Sequence, residues 1–532
     1  MYDHVVVGAG SAGCVLADRL SRDPGVRVLL VEAGGPGRHP YLRIPKGVGR
    51  LFGDPAYFWH HRTRPLREGG RPEVWVRGKV LGGSSAVNGM VYNRGSRADW
   101  DGLEGLGNPG WGWGAVLPAF RAIEDNALGA TATRGSGGPL HVSGVRDPDP
   151  LCDELLATGE RFGLRAVPDV NEEDGERIGY AMATIKAGQR FSAARAFLRP
   201  ALSRPNLTVA RDTTAVRVLF DGDKAVGVRL RGADGHEEDV RVRREVVLSL
   251  GSLGTPKLLQ LSGIGPAEAL RAAGVDVRLD RPSVGGRLRE HRCLALRLRL
   301  NAPLGVNRLL ATPAARARTG AGYLLTRRGP LARPAYDVIG FLKTGPGLER
   351  PDAEILLAPW SLGALAPGRP AAVEREPGVS ACAMVLRPTS EGSLTITSAD
   401  PDGALDIDPG YWRSAHDRDV GAALFRRLRE FFATDPIASH IRRETFPGPG
   451  VRTDGEIIES SLDGGYCGFH AIGTCAMGPA DEDVTDARLN VRGVDNLRAV
   501  DASVLPAMVS GNLNGPVMAL AWRAADLVLD RH

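Results

Sequence analysis

The run Val5-Val-Val7-Gly8-Ala-Gly10-Ser11-Ala-Gly13 at the head of the chain permits few backbones. Val5 to Val7 is apolar and β-branched, which suits a strand buried on both faces. Three glycines follow at G-x-G-x-x-G spacing, and Leu16, Ala17 and Leu20 then recur at helical period. The first glycine permits a tight turn, the second lets a pyrophosphate approach the backbone, and the third lets helix and strand pack closely. Val28-Leu-Leu-Val31 is the next strand, and Glu32 at its end can accept ribose hydroxyls while repelling a 2′-phosphate. Strand, turn, helix and strand predict a dinucleotide-binding unit with a helix N-terminus facing the phosphates. Gly8, Gly10, Ser11, Gly13, Glu32 and Ala33 are its candidate cofactor residues.

A chain of 532 residues exceeds one typical domain, and two or three are expected. A formal charge of +5 is small for this length, and the charges are dispersed, as in Asp417-Arg418-Asp419. No basic stripe tracks a phosphate backbone, which argues against a nucleic acid partner. The six cysteines (Cys14, Cys152, Cys293, Cys382, Cys467, Cys475) show neither a C-x-x-C pair nor zinc spacing. Scattered single cysteines fit a reducing compartment. The first strand starts almost at Met1, leaving no room for a signal peptide, and no apolar run reaches the roughly 18 residues of a membrane span. A cytoplasmic protein with no metal and no membrane span is expected; its oligomeric state is left open.

Strand signals return at 207–209, 215–219, 225–230 and 245–248, and Ser393-Leu-Thr-Ile-Thr397 alternates like a half-buried antiparallel strand. The Arg-, Gly- and Pro-rich run from Ala302 to Gly345 reads as a mobile surface segment. Loop composition at Arg134 to Gly138 and Asp147 to Pro150, and again at Phe446 to Gly450, marks domain boundaries.

Three further motifs follow the first. Gly78-Lys-Val-Leu-Gly82-Gly83-Ser84-Ser85-Ala-Val-Asn88 has adjacent glycines whose N–H groups can reach an anion or ring edge. Gly251 to Gly265 (GSLGTPKLLQLSGIG) also reads as a helix start, with Thr255 as N-cap and Pro256 at the first helical position. His470-Ala-Ile-Gly-Thr-Cys-Ala-Met-Gly478 is followed by Gly511-Asn-Leu-Asn514. These segments, in this order, resemble the glucose–methanol–choline (GMC) oxidoreductase family of flavoproteins. The resemblance includes bacterial aryl-alcohol and hydroxymethylfurfural oxidases and the choline and alcohol dehydrogenases. It runs almost end to end and weakens between Arg134 and Gly455.

The resemblance implies an α/β protein with a Rossmann-like FAD-binding domain and a second α+β substrate domain built on an antiparallel sheet. The FAD-binding parts are placed at 1–150, 206–292 and 456–532, and the substrate domain at 151–205 and 293–455. It also implies that FAD meets Val80, Gly82, Gly83, Ser84, Asn88, Gly89, Met90, Val91, Val216, Asp501, Ala502 and Asn512. Asp501 reads alternatively as a helix-capping residue at a strand end. The helix after Asn512 would bring its positive dipole to the flavin. Where some choline oxidases attach FAD through a histidine this chain has Val87, so non-covalent FAD is expected. In Val284-Gly-Gly-Arg-Leu-Arg-Glu-His291, Arg287 and Glu290 replace the family's usual Asn and Asp, and no cofactor contact is assigned there.

Alcohol oxidation by flavin needs a base for the hydroxyl proton while hydride leaves for flavin N5. His470 matches the family's catalytic segment and has the suitable ordinary pKa; His4, His60, His61, His141 and His291 are read as structural. Asn514 is placed at the family's second catalytic position, as a hydrogen-bonding amide. Phe469 before the base suits a flat apolar substrate, as in fungal aryl-alcohol oxidases. Trp360 reads equally as pocket wall and as core, and Gly89 stands where those oxidases carry a tyrosine. The expected function is FAD-dependent oxidation of a primary alcohol, aromatic or furanic favoured. The acceptor would be dioxygen or another electron acceptor, with a lean to oxidase. A choline-like or aliphatic alcohol dehydrogenase and a non-redox lyase of the same fold remain as alternatives.

Overall fold

The computed structural model describes residues 1–363 and 372–529. Its first sheet grows from β1 (Tyr2–Val7), buried on both faces through Val5, Val6 and Val7. Helix α1 (Ser11–Leu20) crosses to β2 (Val28–Val31), parallel to β1, and the strand Glu237–Leu248 lies parallel on the other side. Leu207–Ala210 extends the sheet beyond β2. Lys224–Gly232 and Thr213–Asp221 extend it antiparallel beyond Glu237–Leu248, and Leu497–Ala499 adds a short parallel strand. Head, middle and tail of the chain thus meet in one sheet of seven strands. Its core includes Leu16 of α1 and Met518 of the last helix, Asn514–Val528.

The second sheet has eight strands. Seven run in the order Ile441–Phe446, Arg292–Leu300, Gly378–Val385, Ala353–Ala358, Val338–Leu342, Arg177–Tyr180, Arg165–Ala166, antiparallel except for the last pair. Period-two alternation gives it two buried faces. Ile355, Leu357, Val379 and Ala381 pack with Leu155 and Phe425 of the helices Pro150–Arg161 and Ala415–Phe432. Leu356, Cys382, Met384 and Phe341 face the other way, towards Val91, Tyr336 and Tyr466. Glu354 shares the parity of Leu356, so the strand carries a carboxyl onto this second face. The eighth strand, Tyr466–Cys467, pairs with Arg292 and Cys293 and draws the C-terminal histidine segment to the sheet.

The architecture is the expected mixed α/β one, but several local expectations do not hold. Residues 302–345 are not merely a surface loop: they form the helices Asn307–Leu310 and Pro313–Thr326 and the fully buried strand Val338–Leu342. Thr255-Pro256 does not start a helix. That helix is Gly251–Leu261, with Pro256 inside it, and Thr255 Oγ1 donates to Asp501 Oδ2 at 2.6 Å while accepting from Leu250 N at 3.1 Å. Cys293 and Cys382, read as single cysteines, form a disulfide between adjacent strands. The strand expected at 393–397 is present as Ser393–Ile396, paired with Leu405–Asp408. No helix among the described residues is long and apolar enough to cross a membrane.

Candidate active site

The three glycines of the first turn have three different surroundings. Gly8 adopts φ +99°, and a Cβ there would lie 2.5 Å from Ser249 O. A Cβ on Gly13 would lie 1.8 Å from Gly8 O, so helix and strand touch backbone to backbone. On Gly10 its nearest neighbour would be Ser249 O at 3.9 Å, which leaves that side of the turn open. Helix α1 has no side-chain cap and no acid in its first turn. Its first N–H groups are therefore available to an anion.

Glu32 closes this end. Its carboxylate accepts from Ala9 N at 3.0 Å and Gly34 N at 2.8 Å. Burial pushes its pKa up to about 7 against those two bonds. A carboxylate has about four acceptor sites, so capacity for hydroxyls remains. Ala33 follows it, half-buried. The second glycine run lies against the first: Gly82 N donates to Ala9 O at 2.8 Å, and a Cβ on Gly83 would meet Gly10 Cα at 2.7 Å. Val80 and Val87 are buried beside them, while Ser84 is exposed. Asn88 accepts from Met90 N and from Arg190, which holds the following turn with Met90 at φ +67°. A Cβ on Gly89 would press on Ala335 Cβ at 3.0 Å. Val91 and Val216 are buried.

Asp501 joins the third segment to the tail. It accepts from Gly251 N at 2.8 Å and from Ser503 N at 2.8 Å, and so also caps the short turn at Ala502–Val504. A Cβ on Gly251 would meet no atom within 4 Å, a second open side. An uncapped helix, open glycine faces and a ribose-competent carboxylate together fit a dinucleotide.

In the C-terminal histidine segment His470 is buried. Its backbone N–H donates to Glu290 Oε1 at 2.6 Å, and the same oxygen takes the N–H of His291 at 2.9 Å. His470 Nδ1 lies 2.9 Å from His291 Nδ1, and His470 Nε2 lies 3.1 Å from Asn512 Nδ2. Asn512 Oδ1 accepts in turn from Asn93 Nδ2 at 3.1 Å, and Glu354 Oε1 accepts from that amide at 3.1 Å. Arg77 Nη2 stands 3.5 Å from Glu290 Oε2.

Burial, reinforced by His291 and Arg77, holds His470 well below its ordinary pKa, so the ring is neutral. Burial lowers His291 to about 4. It raises Glu290 to about 7, opposed chiefly by Arg77, and Glu354 to about 8, opposed by Asn93. Phe469, at φ +62° and 45% exposed, lies under the Arg77 guanidinium, 5.7 Å from the ring centroid. Trp360 stands beyond the strand Ala353–Ala358 with Lys46 Nζ 5.6 Å from its ring centroid, and its buried Nε1 has no hydrogen-bond partner among the described residues.

The GMC oxidoreductase description matches residues 2–293 and again residues 388–521. The chain belongs to the GMC oxidoreductase family. This GMC oxidoreductase is 36% identical over 99% of its length to the alcohol dehydrogenase [acceptor] of Pseudomonas putida, covering 96% of that protein. It is 35% identical to the oxygen-dependent choline dehydrogenase of Brucella anthropi, with 99% and 96% covered. Among solved structures, pyridoxine 4-oxidase from Mesorbium loti superposes with a TM-score of 0.88 at 29% identity, covering 100% of both chains. A fungal aryl-alcohol oxidase gives 0.82 at 25%, with 99% of each chain covered. GMC oxidoreductases bind FAD, which the glycine turns and Glu32 accommodate.

One expected residue is out of place. Asn514 does not meet His470: it opens the last helix, and its Oδ1 accepts from Ser11 Oγ at 2.8 Å. The amide on His470 belongs to Asn512, two residues earlier, in the turn before that helix. His291, read as structural, and Glu290, in a segment given no role at the cofactor, both hold His470 directly. Their sequence signal was present in the unusual Glu290-His291 pair. Asn93, Glu354 and Arg77 carried no sequence signal.

Proposed function

We propose that this GMC oxidoreductase oxidises a primary alcohol to the aldehyde, aromatic or furanic alcohols favoured, with His470 as the base and non-covalent FAD. The observation that carries the reading is a buried, neutral imidazole with one nitrogen turned to an amide and the other to a second histidine. A neutral imidazole can take the hydroxyl proton once the Asn512 amide, which donates to His470 Nε2 at 3.1 Å, turns its N–H to the alcohol oxygen. FAD, when bound, supplies the hydride acceptor. The turn at Gly10 and Ser11, Glu32, Gly82 and Gly83 and the Asp501 segment would hold it. Phe469 offers an apolar ring edge at the mouth, and Trp360 is a further candidate wall.

The test is anaerobic bleaching of the bound flavin by benzyl alcohol, hydroxymethylfurfural, alkanols and choline. Bleaching by none of them would sink the redox reading and leave a lyase of the same fold. His470→Ala should slow bleaching by about two to four orders of magnitude, the range for loss of a general base, with flavin retained.

A choline-like substrate has one specific support. Glu354, whose buried Oε2 has no hydrogen-bond partner among the described residues, lies on the sheet face that carries Tyr336 and Tyr466. An acid with aromatic rings suits a quaternary ammonium group. Choline as the best substrate, binding more tightly as pH rises through about 8, would favour that reading.

A further inference from the structure

Two histidines meet nitrogen to nitrogen, His291 Nδ1 and His470 Nδ1, at 2.9 Å with their rings perpendicular at 88°. Such a contact is a hydrogen bond only if one nitrogen carries hydrogen and the other a lone pair. The direction is fixed on the far side of His291. Its Nε2 lies 3.0 Å from the carbonyl oxygen of Leu386, which can only accept. His291 Nε2 therefore carries the hydrogen, and in a neutral ring His291 Nδ1 is then bare. It follows that His470 Nδ1 is the donor and His470 Nε2 is bare. That bare nitrogen is the one to which Asn512 Nδ2 donates at 3.1 Å.

We propose that His291 is a positioning residue that selects the Nδ1–H tautomer of His470, leaving Nε2 as the nitrogen that takes the alcohol proton. The inference rests on His470 being the base and adds which nitrogen acts and what chooses it. In the proton step the Asn512 N–H turns from His470 Nε2 to the alcohol oxygen, the substrate O–H bond breaks, an Nε2–H bond forms, and the charge left on the oxygen is met by that amide. His470 becomes an imidazolium whose Nδ1–H still points at the lone pair of His291. That bond strengthens as the charge develops, so His291 also stabilises the protonated base. A carboxylate in its place would fix the same tautomer but would raise the basicity of the resting imidazole. A neutral imidazole orients His470 without adding charge.

The surroundings hold this geometry. Glu290 Oε1 binds the backbone N–H of both histidines and so yokes two segments far apart in the chain. Gly468 N donates to His291 O at 2.7 Å, and a Cβ on Gly468 would sit 2.8 Å from His291 Cβ and 3.0 Å from His470 Nδ1. Both rings are buried, which keeps water off the shared contact. The charged groups facing the pair are Glu290 and Arg77, themselves paired.

The experiment compares holoenzyme, His291→Phe and His291→Asn. Phenylalanine keeps the ring volume and removes the acceptor, whereas asparagine restores an acceptor near the Nδ1 position. Flavin reduction under anaerobic conditions, followed against pH, should slow about 10- to 100-fold in His291→Phe, the scale for losing a partner that orients a reactive ligand. The substrate dissociation constant should change much less, and His291→Asn should recover most of the rate. Nitrogen-15 spectra of histidine-labelled wild-type holoenzyme should show His470 protonated at Nδ1 and bare at Nε2, a readout that does not depend on either variant folding. A His470 protonated at Nε2 would overturn the proposal. So would a His291→Phe enzyme with wild-type reduction rate and pH profile while His470→Ala is inactive. If His470→Ala itself reduces flavin normally, the base assignment fails instead.

Discussion

Gly13→Ala puts the predicted cofactor turn to its sharpest test. The new Cβ would lie 1.8 Å from Gly8 O and 3.0 Å from Gly8 C. Ordinary contact begins near 3.5 Å, so strand end and helix start must separate by roughly 1.7 Å. Neither side is free to move. Gly8 N is tied to Val31 O at 2.8 Å, Ala9 O to Gly82 N at 2.8 Å and Gly10 O to Cys14 N at 3.1 Å. Overpacking usually costs about 1–3 kcal/mol, and backbone on both sides of the clash puts this case at the upper end. The empty protein relaxes part of the strain by opening the turn, but bound FAD needs the closed one, so the cost falls on binding. At about 1.4 kcal/mol per tenfold, FAD affinity should drop about 100-fold. The assay is titration of apoprotein with FAD, read by flavin fluorescence. Gly10→Ala is the control, because its methyl meets only Ser249 O at 3.9 Å. That variant should keep the wild-type apoprotein melting temperature and still lose affinity, since its methyl enters the space kept for the pyrophosphate. Wild-type affinity in Gly13→Ala would refute the close-packing argument, and wild-type affinity in Gly10→Ala would refute the open phosphate side.

Asn512→Ala should slow flavin reduction about 10- to 100-fold by removing the amide on His470. Asn514→Ala should leave the reduction rate within about threefold and cost about 1 kcal/mol of stability through its bond to Ser11; equal kinetic damage from both would refute the distinction drawn between them. Acid precipitation should release FAD into the supernatant, because Val87 forms no bond to it, and yellow colour remaining with the washed pellet would show covalent attachment. Glu354 has its folded pKa raised to about 8 by burial. The native state therefore keeps a proton that the unfolded chain releases near its ordinary value of about 4.3. That contribution is present below the unfolded pKa and lost as pH rises through the folded one. Relative to Glu354→Gln, wild-type melting temperature should fall steadily from about pH 5 to 8, and parallel pH curves for the two proteins would contradict the assignment.

The sequence by itself determined what depends on neighbours along the chain. Gly8, Gly10 and Gly13 specify a turn because backbone torsion and missing Cβ atoms are properties of single residues. Valine runs and helical periodicity identify β1, α1 and β2 for the same reason, and the motif around His470 singles it out among the histidines. Tertiary structure decided which side chains meet. Asn512 and Asn514 are the same residue two positions apart, and only the point at which the last helix begins turns one to His470 and the other to Ser11. Glu354 reaches the site through strand parity, and Cys293 finds Cys382 through the pairing of two strands 89 residues apart. His291 meets His470 because Tyr466–Cys467 pairs with Arg292 and Cys293. Such contacts are set by the register between distant segments, a property of the packed core as a whole that no local stretch of sequence carries.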